Sequence, residues 1–177
     1  MKITKKHTWK HYKTGNPVSV IGHICLGTER GTTDWILNGP KSISYNYYIT
    51  KQGEVIEFVP YNKGAWHSGV VHKPTKRAKD FFGDTNPNSM SIGICYEGRT
   101  VDTRPNQKQK EAGRELVAWL SKKVKIQEFF YHKEITSYKP EVVKEFVDAI
   151  KPIEVKENSI CKLLRQLMKR YDCQCAV

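Results

Sequence analysis

The chain lacks any apolar run near the ~20 residues that a membrane-spanning helix requires, so it is not expected to cross a bilayer as a helix. An N-terminal apolar segment is also missing. Met1-Lys2-Ile3-Thr4-Lys5-Lys6 leads into further lysines and histidines, so no secretory signal is expected and synthesis in the cytoplasm is. Acidic residues are few, 18 against 30 lysines and arginines, which leaves a formal net charge of +12 and points to an anionic partner. The basic residues, among them Lys2, Lys5, Lys6, Lys10 and Lys13, form no zinc finger, homeodomain-like helix or RNA-binding signature, so nucleic acid is not the expected partner.

Cysteine is scarce and odd in number, with five in 177 residues. A chain of this length buries a core without covalent staples. Cys25 and Cys95 fall inside apolar, strand-like runs where buried free thiols are common, so a disulfide framework is not expected. Cys173 and Cys175 belong to a terminal Cys-Gln-Cys and are open to metal binding, oxidation or no role. There is no internal repeat and no low-complexity segment.

The patterns that are present suggest one mixed α/β domain. Pro17 to Cys25 reads as a strand that ends on Gly22-His23, and Gly27 to Thr33 as a loop. Ser44–Thr50 and Val55–Val59 form a predicted hairpin joined by Lys51-Gln52-Gly53-Glu54, with Tyr45, Tyr47 and Ile49 expected on one face. Tyr61 to Asn88 is loop-like and carries Gly64-Ala65-Trp66-His67-Ser68-Gly69. Ser91 to Tyr96 is a short continuous apolar run, as expected of a strand buried on both faces. Thr103 or Asn106 can cap a helix in which Ala112, Leu116, Leu120 and Val124 repeat every four residues. Glu128 to His132 reads as another strand, and Val142, Val143, Phe146 and Ile150 have helical spacing that ends at Pro152. Ile160, Leu163, Leu164, Leu167, Met168 and Tyr171 predict a basic amphipathic helix, so the expected organisation is a domain over 1–152 and a helical, cysteine-containing tail over 153–177. Irregular alternation of strands and helices implies a mixed central sheet flanked by helices, with strand ends gathering His23, Tyr45 and His132 at one edge.

His23 and His132 each stand where an apolar run gives way to a polar loop, and Lys139 and Glu141 follow the second. Two imidazoles and one carboxylate suit a zinc ion and leave a fourth tetrahedral position for a reactive water. A nearby lysine can face a developing oxyanion. This combination predicts a metal-assisted hydrolase.

Ile21-Gly22-His23, Tyr45-Asn46-Tyr47-Tyr48-Ile49, Ala65-Trp66-His67, Asn88 through Cys95 and His132 through Glu141 occur in an order that resembles the type 2 N-acetylmuramoyl-L-alanine amidases. That zinc family includes phage endolysins and shares its fold with the peptidoglycan recognition proteins. The resemblance spans about Val18 to Ile150. It implies hydrolysis of the amide between N-acetylmuramic acid and L-alanine of bacterial peptidoglycan, by a phage or prophage endolysin with Zn2+ as cofactor; a monomer is expected. It further implies His23, His132 and Glu141 as metal ligands, Tyr45 and Lys139 as catalytic groups, and His67 at the substrate groove, where Trp66 offers the aromatic platform that a saccharide often uses. Glu141 departs from the family's usual cysteine or aspartate, and one extra residue separates His132 from Lys139.

The basic surface would then hold the protein on anionic cell-wall polymers. A non-catalytic peptidoglycan-binding module of the same fold is the alternative, favoured by the glutamate at 141. A non-haem iron site and nucleic-acid binding by charge alone are the weaker readings.

Overall fold

A computed structural model describes residues 1–12, 16–39, 43–140 and 142–152. Glu141 and the tail over 153–177, including its amphipathic helix and Cys173 and Cys175, lie outside the described residues.

Strand β2 (Ser19–Leu26) and strand β5 (Ser91–Gly98) pair in parallel through the middle of a six-stranded sheet, with Ser19 opposite Ser91 and His23 opposite Cys95. Every residue of β5 and six of the eight residues of β2 are buried, which is why both read as continuous apolar runs rather than alternating ones. On one side of this pair lies the hairpin of β3 (Tyr47–Ile49) and β4 (Val55–Glu57), with β3 parallel to β5. Beyond it β1 (Ile3–Lys5) runs parallel to β4 at the edge. On the other side β6 (Glu128–Tyr131) runs parallel to β2, giving the order β1-β4-β3-β5-β2-β6. The sheet is mixed, as the sequence implies.

Helices cover both faces. Helix α4 (Gln107–Leu120) starts at Asn106, whose side chain accepts from the Gln109 N–H while the Gln109 side chain accepts from the Asn106 N–H. It packs with α6 (Val143–Ile150) on one face, where Leu116, Leu120, Phe146 and Ile150 meet Tyr47, Ile94 and Tyr96 in the largest core. The opposite face holds two smaller clusters. One joins Ile36 of α1 (Glu29–Asn38) to Cys25, Tyr48, Phe58 and Cys95. The other joins Ile21 and Phe130 to Ala78 and Phe82 of α2 (Lys76–Phe82) and to Ile135 of α5 (His132–Ile135). The short helix α3 (Pro87–Met90) leads into β5.

Strand β1 and helix α2 are not predicted, His23 lies inside β2 rather than at its end, and three further features differ from the sequence expectations. The stretch predicted as a loop after β2 is mostly helix α1, with Thr28 as its cap accepting from the Gly31 N–H. Cys25 and Cys95 form a disulfide, because the β2–β5 register sets their Cα atoms 6.0 Å apart. Tyr45 does not share the face of Tyr47 and Ile49, since the backbone bends at Asn46 and strand alternation begins only at Tyr47. Tyr45 therefore packs beside the Cys25–Tyr48 cluster.

Candidate functional site

His23 projects from β2 into the seam between the two smaller clusters, one strand pleat from Ile21 on one side and Cys25 on the other. The β2–β6 register pairs Gly22 with Tyr131, so the next residue after β6, His132, arrives beside His23. The two Nδ1 atoms stand 2.9 Å apart. His67, from the loop before α2, completes the cluster with its Nδ1 3.0 Å from the His23 Nε2. Relative exposures of 1% for His23, 4% for His67 and 8% for His132 put all three imidazoles in a largely dry environment.

Burial is the main reason that none of the three readily takes up a proton. The His67 imidazole is pushed down to about 3 by burial and then by His132, against a hydrogen bond to Ser91 that favours the charged form. His132 falls to about 4 through burial and the positive charge of Lys139, opposed by its bond to Ser68. His23 lies well below the ordinary histidine value through burial, His132, His67 and Lys139, in that order.

Hydrogen-bond partners assign the tautomers. The Ser91 hydroxyl donates to the Pro87 carbonyl at 2.6 Å, so towards the His67 Nε2, 3.3 Å away, its oxygen is an acceptor. His67 thus carries its proton on Nε2 and accepts on Nδ1 from the His23 Nε2–H. The His132 Nε2–H donates to the Ser68 carbonyl at 2.9 Å. Both remaining Nδ1 atoms are bare, and two lone pairs converge on the 2.9 Å gap. That arrangement is repulsive unless a cation lies between them.

Next to this pair is a cavity of about 520 Å3 whose walls include Ile24, Tyr45, His132, Lys139, Pro140 and Val142. The Tyr45 ring lies 5.2 Å from the His23 ring, and burial pushes its phenol up to about 12, so at neutral pH it is a hydrogen-bond donor. Lys139 is half-buried in the cavity wall, with its ammonium 5.3 Å from the Tyr138 ring centroid. Pro140 and Val142, the chain neighbours of position 141, line the same cavity.

The structure therefore brings together His23, His67, His132, Tyr45 and Lys139. Trp66 points elsewhere, packing edge-on against Trp9 and Tyr12. Among the described residues no group of three or more His, Cys, Asp or Glu side chains is arranged to hold a metal ion, so the candidate donors among them are the two Nδ1 atoms. Sequence reasoning missed Ser68, Asn88 and Ser91. Ser68 acts through a backbone carbonyl, which no side-chain pattern announces.

Comparison with known proteins places the chain in a family and a fold. A 65-residue stretch is 38% identical to the 1,6-anhydro-N-acetylmuramyl-L-alanine amidase AmpD of Enterobacter cloacae, covering 36% of this chain and 29% of that protein. The matched stretch thus spans under a third of the curated relative's length. A crystal structure of a selenomethionine AmpD derivative superposes with a TM-score of 0.63 at 19% identity, over 77% of this chain and 84% of that one. The endolysin N-acetylmuramoyl-L-alanine amidase LysCS from Clostridium intestinale superposes with a TM-score of 0.52 at 18% identity, over 76% and 82%. Those two likenesses establish the fold. The family described as N-acetylmuramoyl-L-alanine amidase matches residues 11–141, a span that includes the histidine cluster, Tyr45 and Lys139, and the chain belongs to that family.

Proposed function

We propose that this protein is a zinc-dependent amidase that cleaves the bond between the lactyl group of N-acetylmuramic acid and L-alanine in bacterial peptidoglycan. The observation that carries this reading is the convergence of two bare Nδ1 atoms beside a cavity walled by Tyr45 and Lys139. The donor set fits zinc. Nitrogens about 2.05 Å from a tetrahedral ion lie about 3.3 Å apart, so the observed 2.9 Å needs only a small opening. Both imidazoles donate their other N–H to a protein acceptor, as metal-bound histidines do. His23 and His132 would hold the ion, with Glu141 as the third ligand.

When bound, zinc supplies a water acidic enough to attack at neutral pH and a Lewis acid for the scissile carbonyl. The protein's own groups do the rest. Depressed proton affinity keeps His23 and His132 available as neutral ligands at pH 7. Tyr45 keeps its phenol proton and donates to the oxygen that gains charge. Lys139 brings its ammonium group to the same cavity, where it can face that oxygen.

The role is that of a phage or prophage endolysin acting on the wall, with the +12 charge holding it on anionic wall polymers. The name of the curated relative favours a second role, hydrolysis of soluble 1,6-anhydro muropeptides. Digestion of intact sacculi and of an anhydro muropeptide, with release of the L-alanine amino group as readout, separates the two. Cleavage of sacculi supports the endolysin, and cleavage of the soluble substrate alone supports the second role. Full turnover by metal-free protein would remove the mechanism.

A further inference from the structure

We infer that the dipeptide His67–Ser68 is the positioning device of this site: it fixes the tautomers of both histidines and so creates the pair of bare Nδ1 atoms. The inference rests on the metal-site reading above and assigns His67 a place behind His23 rather than in the substrate groove.

Four observations support it. The His67 ring accepts from the His23 Nε2–H, and the adjacent Ser68 carbonyl accepts from the His132 Nε2–H, so consecutive residues hold the two imidazoles. A single amide oxygen pins the dipeptide, since Asn88 Oδ1 accepts from the His67 N–H at 3.0 Å and from the Ser68 N–H at 2.8 Å. The far side of the His67 ring is held by Ser91, whose own proton is committed to the Pro87 carbonyl. Finally, Gly93 on the central strand leaves room for that ring. A Cβ there would lie 2.5 Å from the His67 Cγ and 2.6 Å from its Cδ2, closer than packed atoms approach.

The physical consequence is specific. An imidazole in water populates both neutral tautomers, and only the Nε2–H form presents a lone pair on Nδ1. By providing an acceptor for each Nε2–H, the dipeptide removes the other form before any ion arrives. It also pays in advance the ordering of two rings at the gap. His67 is not among the residues that line the cavity beside Tyr45 and Lys139, and it acts there through its bond with His23.

The test measures tautomers in the metal-free protein by 15N-edited NMR of the histidine rings, and zinc affinity by competition with a chromogenic chelator. In the wild-type protein His23, His67 and His132 all carry the proton on Nε2. His67→Ala leaves the His23 Nε2–H without its acceptor, so the His23 Nδ1–H form becomes populated and zinc affinity falls about 10–100-fold. His67→Gln, whose amide oxygen can accept the same proton, restores affinity to within a few-fold. Gly93→Ala keeps every imidazole but displaces the His67 ring, and produces the same loss as His67→Ala. Unchanged His23 tautomer and zinc affinity in folded His67→Ala or Gly93→Ala protein would overturn the inference. So would a wild-type His23 with its proton on Nδ1. A wild-type protein that binds no zinc refutes the amidase reading instead, while the tautomer measurement still decides whether the dipeptide orients the rings.

Discussion

Lowering the pH from 7.5 to 5.0 should destabilise the metal-free protein through its buried imidazoles, and the size of the effect follows from their surroundings. In the unfolded chain each histidine titrates near 6.5. In the folded protein His67 holds out until about 3 and His132 until about 4. Between those limits the unfolded state binds protons that the folded state refuses, so stability is full above pH 6.5 and declines as the pH falls. At pH 5 the gap is about 1.5 units for each group, or about 2 kcal/mol each and about 4 kcal/mol for the pair. That is a large fraction of a typical domain's stability of about 5–15 kcal/mol. His23 shifts in the same direction and adds to the loss. Urea denaturation of chelator-treated protein at the two pH values, followed by tryptophan fluorescence, gives the difference directly. His67→Gln should show a pH dependence smaller by about 2 kcal/mol, which separates the buried cluster from general charge repulsion. Equal stability at pH 5.0 and 7.5, or the same decline in His67→Gln, would refute the reasoning.

Other perturbations have equally definite outcomes. Lys139→Met and Tyr45→Phe should each lower kcat on peptidoglycan by about 10²–10³-fold while bound zinc stays stoichiometric, because each removes a donor to the developing oxyanion and no ligand. Loss of zinc from either variant would contradict those roles. Lys10 is only 1% exposed, and its ammonium donates to the Gly39 carbonyl at 2.7 Å and to the Trp35 carbonyl at 3.4 Å, at the C-terminal end of α1. Lys10→Met should therefore cost about 1.5–3 kcal/mol in chemical denaturation with the far-UV spectrum intact, and a change below 0.5 kcal/mol, of the size typical of exposed surface substitutions, would show the contact to be idle. The Cys25–Cys95 bond spans 70 residues, so reduction should lower stability by about 2–4 kcal/mol and expose two further thiols to titration in denaturant. An unchanged thiol count would contradict the pairing.

The parts of the fold legible in the sequence were those with a strong local pattern. The continuous run Ser91–Tyr96 marks a central strand, Lys51–Glu54 a hairpin turn, and Asn106 with Gln109 a capped helix. Helix α1 escaped notice because Gly31, Thr32, Thr33 and Asp34 are weak helix formers, and what holds them is tertiary burial of Ile36 together with the Thr28 cap. Strand β1 offers only Ile3 as an apolar residue and exists through its pairing with β4. The disulfide depends on strand register, which two cysteines 70 positions apart do not reveal. At the site, His23, His132, Tyr45 and Lys139 were legible as residue types in a recognisable order. The role of His67 was not, because nothing local shows that its ring turns inward over Gly93. The Ser68 carbonyl has no residue signature, and only the folded chain sets it against His132.

Crystals of the protein soaked with zinc and measured on both sides of the zinc absorption edge test the central claim most directly. The account predicts one anomalous peak, about 2.1 Å from both His23 Nδ1 and His132 Nδ1, that vanishes in His23→Ala. Wild-type crystals with no peak between those two nitrogens at saturating zinc, or a peak that persists unchanged in His23→Ala, would contradict it.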